Sequence, residues 1–135
     1  MNSKTLIGAV TGLGLFLMAS SGTAHHSFAA QFDAEKPIEL TGTVTKVEWR
    51  NPHAWFYIDV EGDDGNVANW GMELASPNLL MRKGWSRSSM KVGDAVTVEG
   101  FLARDGSNTG NARVVTLDAT GKTLSIGSGY SRRDE

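Results

Sequence analysis

The sequence predicts a small all-β barrel of five or six strands with one short helix between strands 3 and 4. Short runs of alternating apolar and polar residues recur from Ile38 to Ile126, and this period of two is typical of strands that bury one face. Turn sequences rich in Gly, Asp and Asn separate the runs. A helix signal, Ser76-Pro77 followed by Gly84, falls between the third and fourth runs.

The N-terminal segment has the composition of a cleavable signal peptide. Lys4 precedes an apolar run, Leu6–Met18, and Gly22-Thr23-Ala24 offers the small residues that a signal peptidase prefers. The run is shorter than the ~20 residues that a helix needs to cross a bilayer. The chain has no Cys, which excludes a lipoprotein anchor and disulfide bonds. We therefore expect export to a bacterial periplasm.

This interpretation divides the chain into a signal peptide (1–24), an N-terminal tail of the mature protein (25–37), one domain (38–126) and a disordered tail (127–135). About 110 residues can build one small core but not two. Without Lys4 the chain has 12 basic and 15 acidic residues, a net charge of −3. Nucleic acids and anionic lipids attract basic surfaces, so neither is an expected partner.

The first strand is expected over Ile38–Trp49. The apolar residues of this strand change from even to odd positions between Val44 and Val47. Such a slip in the alternation indicates a β-bulge, which lets a strand bend around the corner of a barrel. Asn51-Pro52 then ends the strand, because Pro has a fixed φ and no N–H and its predecessor favours extended geometry.

The second strand, His53–Glu61, is expected to carry the functional site. One of its two faces is apolar, and the other begins with an imidazole followed by two large rings. Together these side chains offer the flat apolar area and the polar handle of a ligand platform. The alternative is a partly covered sheet face, with the rings beneath the N-terminal tail and His53 hydrogen-bonded to a carbonyl. The apolar row is Ala54, Phe56, Ile58 and Val60, and the other row is His53, Trp55, Tyr57 and Asp59.

A turn at Gly62-Asp63-Asp64-Gly65 leads into the third strand, Val67–Leu74. In the following helix Ser76 is the expected N-cap, and the helix should close one end of the barrel with three apolar side chains. Three nearby cations form the one locally basic patch, either a solvated helix end or a contact for an anion or acidic partner. The apolar residues are Leu79, Leu80 and Met81, and the cations are Arg82, Lys83 and Arg87.

The last strands are short. The fourth is centred on Val96 and Val98, the polar stretch Arg104–Asn111 is expected to be a loop, and Val114–Leu117 forms the fifth strand. Leu124–Ile126 is a candidate sixth strand at the sheet edge.

Five short strands with a helix between the third and fourth is the element order of the OB-fold. A β-sandwich, the competing architecture, ordinarily has about seven strands. OB-folds bind ligands on the face of strands 2 and 3 and on the flanking loops, where the aromatic row is expected. The candidate ligand-binding residues are therefore Trp49, Asn51, His53, Trp55 and Tyr57.

A metal site is a second possibility. Cleavage after Ala24 would begin the mature chain at His25-His26, whose α-amine and imidazole can chelate a metal, and His53 could add a third imidazole. Copper(II) is the expected ion, because nitrogen-rich sites bind it most tightly among the divalent metals. The alternative is adventitious binding by exposed histidines, and cleavage one residue away would remove the chelate.

Several motifs together resemble a family of small exported bacterial proteins, the domain of unknown function family 6152. The motifs follow the family's order and cover nearly all of the expected mature chain. The resemblance implies an exported β-rich domain and no particular activity. The motifs are His25-His26-Ser27-Phe28, Trp49-Arg50-Asn51-Pro52-His53, Ser76-Pro77-Asn78 with Gly84-Trp85, and Val92-Gly93-Asp94 with Asp105-Gly106-Ser107.

A second resemblance is to periplasmic OB-fold proteins that include the copper chaperones of the CusF type. It implies Cu(I) held by one histidine, two methionines and a tryptophan, with His53 as the histidine. Asn69-Trp70-Gly71-Met72 and Met90-Lys91-Val92-Gly93-Asp94 carry this resemblance, but Leu74 stands where the second methionine is expected. Alternation along the strand also offers a competing interpretation, in which Met72 belongs to the core.

The sequence therefore favours a non-enzymatic binding or accessory module for a small ligand or a periplasmic protein. It lacks a Cys nucleophile, a Gly-x-Ser-x-Gly elbow, a phosphate-binding glycine loop and a His-Glu-x-x-His helix. The alternative is copper binding or trafficking through His25, His26 and His53, with Met72 as an additional candidate ligand. A third possibility is an enzyme, either copper-dependent and oxidative or using His53 with Glu73 for acid–base work.

Overall fold

A computed structural model describes residues 28–125, which form six β-strands and one short helix after a helical turn at residues 28–31. The expected signal peptide, His25, His26 and the predicted C-terminal tail lie outside the described residues. The elements are β1 Phe32–Glu48, β2 Trp55–Glu61, β3 Val67–Glu73, α1 Pro77–Arg82, β4 Ala95–Ala103, β5 Thr109–Leu117 and β6 Lys122–Ser125.

The six strands form one sheet that closes on itself. The strand order is β3-β2-β1-β4-β5-β6, and all neighbours in this order are antiparallel. A parallel pairing between Gly71–Glu73 of β3 and Thr109–Asn111 of β5 closes the ring. With α1 between β3 and β4, the protein has the predicted all-β, OB-fold-like barrel.

The predicted slip in β1 is present as a register shift between Val44 and Lys46 in the pairing with β2. The start of β1 differs from the prediction, because the strand begins at Phe32 and not at Ile38. Phe32 pairs with Ala103 at the far end of β4 and is buried in a small cluster with Phe101. The residues around Phe32 are mostly polar and do not by themselves indicate a strand. The strand forms because Phe32 meets Phe101 and Ala103, which are distant in sequence.

Strands β4 and β5 are also longer than predicted. β4 continues through Gly100, where an added Cβ would lie 2.1 Å from the carbonyl oxygen of Asn111, so only glycine permits this close approach. β5 begins at Thr109, which makes Asn111 a strand residue and confines the connecting loop to residues 104–108. The predicted loop Arg104–Asn111 is wrong at its C-terminal end for this reason.

Helix α1 contributes Leu80 to the core and packs Leu79 against it, but it does not bury all three of the predicted apolar side chains. The hydroxyl of Ser76 accepts a hydrogen bond from the Leu79 backbone N–H at 3.3 Å and caps the helix. Leu80 is fully buried, whereas Met81 is 52% exposed, so the prediction that Met81 enters the core is wrong. Trp85, just beyond the helix, is buried with the core residues.

The core lies inside the ring and receives the apolar rows of the strands. Burying each large apolar side chain contributes about 1.5–3 kcal/mol, so these rows supply most of the driving force for closure. No helix within residues 28–125 is long and apolar enough to cross a membrane. The largest fully buried side chains are Phe56, Ile58, Met72, Leu74, Leu80, Val44, Val96, Val98 and Val115.

Candidate functional site

Strand β2 presents the predicted aromatic row on the outside of the barrel. Trp55 and Tyr57 are half-buried, whereas the intervening Phe56 is completely buried in the core. Because successive side chains of a strand point to opposite faces, the core contacts of Phe56 fix the two rings on the outer face.

Glycine in the neighbouring strand lets these rings lie across the sheet. Gly71 of β3 pairs directly with Tyr57. A Cβ at Gly71 would lie 3.2 Å from Tyr57 Cε1 and 3.8 Å from Trp55 Cζ3. Both rings therefore extend over the β3 backbone and form a platform, which we call the aromatic platform (Trp55, Tyr57 and Gly71).

A histidine held by a buried carboxylate lies at the end of the aromatic platform. His53 Nδ1 is hydrogen-bonded to Glu73 Oε1, and Glu73 Oε2 accepts a hydrogen bond from Asn111 Nδ2 at 3.4 Å. Glu73 and Asn111 are both buried, at 7% and 3% exposure, while the His53 side chain is 40% exposed. The carboxylate is thus fixed from two sides, and it fixes the imidazole in turn.

The hydrogen bond also determines what His53 offers to a ligand. An ionised carboxylate only accepts hydrogen bonds, so the proton of a neutral imidazole must be on Nδ1. Nε2 then carries a lone pair, and within residues 28–125 no hydrogen-bond partner occupies it. In its neutral form His53 therefore presents an acceptor, or a metal ligand, beside the aromatic platform.

Charged residues of β1, and Arg50 just beyond it, lie along the β1 side of the platform. The Tyr57 hydroxyl donates a hydrogen bond to Glu48 Oε2 at 3.3 Å, and Lys46 Nζ lies 2.6 Å from Glu48 Oε1. Lys46 Nζ also lies 5.2 Å from the Tyr57 ring centre, and Arg50 Nη2 lies 3.1 Å from Glu48 Oε2. The hydrogen bond from Lys46, together with the charge of Arg50, lowers the pKa of Glu48 below its ordinary value. Glu48 thus stays ionised and fixes the Tyr57 hydroxyl.

The structure does not bring all predicted site residues together. Trp49 is partly buried and packs against the core, and Asn51 is exposed beside the cis peptide bond to Pro52. Met72 is completely buried and pairs with Phe56 on the inner face, so it lies on the opposite side of the sheet from the aromatic platform. Residues 28–125 contain no group of three or more His, Cys, Asp or Glu side chains that could hold a metal.

Three residues that shape this site were missed or undervalued by sequence reasoning. The sequence indicates Glu73 only as an acid–base partner of His53, although alternation along β3 also places its side chain on the outer face. Gly71 gives no signal of its own. The sequence predicts a loop at Asn111, and the contact of Asn111 with Glu73 exists only because β5 closes the barrel against β3.

Comparison with known proteins identifies the family. A family model described as a family of unknown function (DUF6152) matches residues 14–112. The chain belongs to this family. Membership in DUF6152 confirms the resemblance carried by the sequence motifs and assigns no activity. No curated protein matches the chain.

Among solved structures, the chain is similar to the mitochondrial single-stranded DNA-binding protein of S. cerevisiae, with 12% sequence identity and a TM-score of 0.47. The match covers 68% of this chain and 96% of that chain. At this TM-score the similarity carries no argument about this chain. The OB-fold-like architecture of this DUF6152 member rests on its own strand order and barrel closure.

Proposed function

We propose that this protein is an exported, non-enzymatic binding module that holds a small ligand, or a flat side chain of a partner protein, on the aromatic platform. The observation that carries the proposal is the fixed position of His53 beside two half-exposed rings. A side chain that is held through Glu73 and Asn111 loses little further freedom when a ligand binds.

The chemistry of the site favours a planar ligand with a hydrogen-bond donor at its edge. Stacking on Trp55 or Tyr57 contributes about 0.5–1.5 kcal/mol beyond the buried area. The lone pair of His53 Nε2 would accept the donor, and the hydrogen bond would set the orientation of the ligand. An N–H or O–H on an aromatic or conjugated ring meets both requirements.

A binding role, without turnover, is supported by the chemistry of the neighbouring side chains. Within residues 28–125 the His53 side chain is hydrogen-bonded to Glu73 and not to a Ser, Thr or Cys side chain that it could activate as a nucleophile. The Tyr57 hydroxyl is a donor to Glu48 and not to His53. We therefore expect no hydrolytic turnover of simple ester or peptide substrates.

Ligand-observed NMR with planar N–H heterocycles, such as indole and benzimidazole, tests the proposal. We expect binding by the unchanged protein, loss of binding in Trp55→Ala, and at least tenfold weaker binding in His53→Ala. Val67→Ala is the matched control, because Val67 is 61% exposed at the turn end of β3. Equal binding by all three variants would refute a role for the aromatic platform.

A second candidate function is copper binding. A carboxylate that accepts a hydrogen bond from Nδ1 is the usual support of a metal-ligating histidine, because it fixes the ring and raises the basicity of Nε2. His53 would be one ligand, and His25 and His26, which lie outside the described residues, would complete the set. Met72 is an unsuitable partner for His53, since it lies in the core.

Native mass spectrometry of the exported protein with added copper separates the two candidates. The copper hypothesis predicts one retained copper that is lost in His53→Ala and also when one residue is added before His25. The same spectrum measures the mature N-terminus, which we propose to be His25. A metal-free mass under copper excess would contradict the second candidate and leave the first unaffected.

A further inference from the structure

The connection between β3 and β4 has a local excess of positive charge, whereas the rest of the chain has a net negative charge. Residues 74–94, the whole connection, contain four basic residues and one acidic residue, Asp94, whose carboxylate accepts a hydrogen bond from the Lys91 backbone N–H at 2.8 Å. The rest of the chain has 13 − 4 = 9 basic and 15 − 1 = 14 acidic residues, a net charge of −5. All four cations are exposed, and none forms an ion pair with another residue of the described chain. They are Arg82, Lys83, Arg87 and Lys91.

The same connection exposes apolar side chains. Met81 is 52% exposed and Val92 is 67% exposed, and each is adjacent in sequence to a cation. They are two of the three large hydrophobic residues that are exposed within residues 28–125. Their exposure is not a sign of a loose segment, because three neighbouring side chains anchor the connection to the core. These anchors are Leu80, Trp85 and Met90.

We propose that this basic cap, residues 77–93, binds the surface of an anionic lipid membrane. Unpaired Lys and Arg side chains are attracted to anionic headgroups, and each contributes about a fivefold gain in affinity. Met81 and Val92 would enter the boundary between headgroups and acyl chains, where aliphatic side chains next to cations are stabilised. The coincidence of exposed aliphatic side chains with unpaired cations favours a lipid surface over an acidic protein.

The net negative charge of the chain does not oppose this orientation strongly. Glu61, Asp63 and Asp64 lie at the turn of the β2–β3 hairpin, whose strands have seven residues each, so they are about 20 Å from the end that leads into the cap. The Debye length at physiological ionic strength is about 8 Å, and the repulsion is therefore largely screened. Net charge alone does not predict an anionic lipid as a partner, whereas the local charge of the cap does.

The cap and the aromatic platform lie at the same end of the hairpin. The Ala54 backbone N–H donates a hydrogen bond to the Ala75 carbonyl at 3.0 Å, which places the His53 corner beside the start of the connection. A membrane-bound molecule would hold the aromatic platform near the lipid surface. The proposal does not depend on what the platform binds.

Vesicle co-sedimentation of the exported protein tests the proposal. We expect binding to phosphatidylcholine vesicles that contain phosphatidylglycerol, none to phosphatidylcholine alone, and loss of binding in about 1 M salt, where the Debye length is about 3 Å. Arg87→Gln with Lys91→Gln should weaken binding about thirtyfold. Lys36→Gln with Lys122→Gln is the charge-matched control, since both residues are exposed and outside the cap. Met81→Ala should weaken binding without changing its salt dependence.

Three results would overturn the proposal. One is the absence of binding to phosphatidylglycerol vesicles at low salt by a protein with an intact circular dichroism spectrum. Another is an equal loss of vesicle binding in the Arg87/Lys91 double variant and in the Lys36/Lys122 control, which would show that the effect comes from net charge alone. The third is retention on polyglutamate without vesicle binding, which would assign the cap to an acidic protein partner.

Discussion

Replacing Gly100 by Ala should destabilise the barrel much more than the same change at Gly110, in the neighbouring strand. A Cβ at Gly100 would lie 2.1 Å from the Asn111 carbonyl oxygen and 3.2 Å from Ala112 Cα, which are both backbone atoms. A Cβ at Gly110 would lie 2.8 Å from Ile38 Cδ1 and 2.8 Å from Met72 Cε, the ends of flexible side chains, with the Phe101 carbonyl oxygen at 3.2 Å. A methyl group at Gly100 therefore requires a strand to move, whereas a methyl group at Gly110 requires mainly side chains to move.

The geometry gives the size of the effect. Carbon and carbonyl oxygen approach one another to about 3.3–3.6 Å, so β4 and β5 would have to separate by about 1 Å at Gly100. Overpacking costs about 1–3 kcal/mol, and each weakened ladder hydrogen bond adds about 0.5–1.5 kcal/mol. We expect a loss of about 3 kcal/mol for Gly100→Ala and about 1 kcal/mol for Gly110→Ala. At about 4–8 °C per kcal/mol, the first corresponds to a fall in Tm of about 12–24 °C.

Urea unfolding followed by far-ultraviolet circular dichroism measures both free energies of unfolding. The reasoning would be refuted if Gly100→Ala lost no more stability than Gly110→Ala. Since Asn111 also donates a hydrogen bond to Glu73, we expect Gly100→Ala to disturb the environment of His53. Chemical shifts of the His53 ring in the two variants provide that second measurement.

Removing the carboxyl group in Glu73→Ala should lower the free energy of unfolding by about 2 kcal/mol, because His53 loses its charged partner. The substitution Glu73→Gln should lower the free energy of unfolding by less. Equal losses for the two variants in urea unfolding would contradict this prediction. Ser76→Ala removes the N-cap of α1 and should cost about 1 kcal/mol in the same assay. In an NMR titration the pKa of Asp64 should lie below its ordinary value, because the Asn66 backbone N–H and then its side chain donate to the carboxylate. A lowered folded-state pKa means that this stabilisation is present above the unfolded pKa and is lost as the pH falls through the folded pKa. A midpoint at or above about 3.9 would exclude the Asn66 contacts in solution.

Features that depend on neighbours in the chain were predictable from the sequence. The alternation of β2 placed Trp55 and Tyr57 on one face, since the period of a strand is a local property. The slip near Val44 predicted the bulge of β1, and the Ser76 cap predicted the start of α1. In each case the residues that determine the geometry lie within a few positions of one another.

Features that depend on distant residues were not predictable in the same way. Phe32 is a strand residue because Ala103 lies beside it, and Asn111 is a strand residue because β3 closes the ring against it. Met81 is exposed, whereas its neighbour Leu80 and Trp85, beyond the helix, are buried in the core. No local pattern reports such pairings, since the partners meet only after the chain has folded.

Local patterns predicted the presence of the strands, their order along the chain and the faces that they bury, but not the full lengths of β1, β4 and β5, because alternation and turn residues involve only neighbouring positions. Only the tertiary structure decided that Glu73, 20 positions from His53, and Asn111, 38 positions from Glu73, form one hydrogen-bonded set. It also decided that the cations of the cap remain unpaired and that Met81 and Val92 remain exposed within the described chain. Both features depend on barrel closure. Closure brings together strand ends that are remote in the chain, and it determines which side chains stay exposed and can contact a ligand.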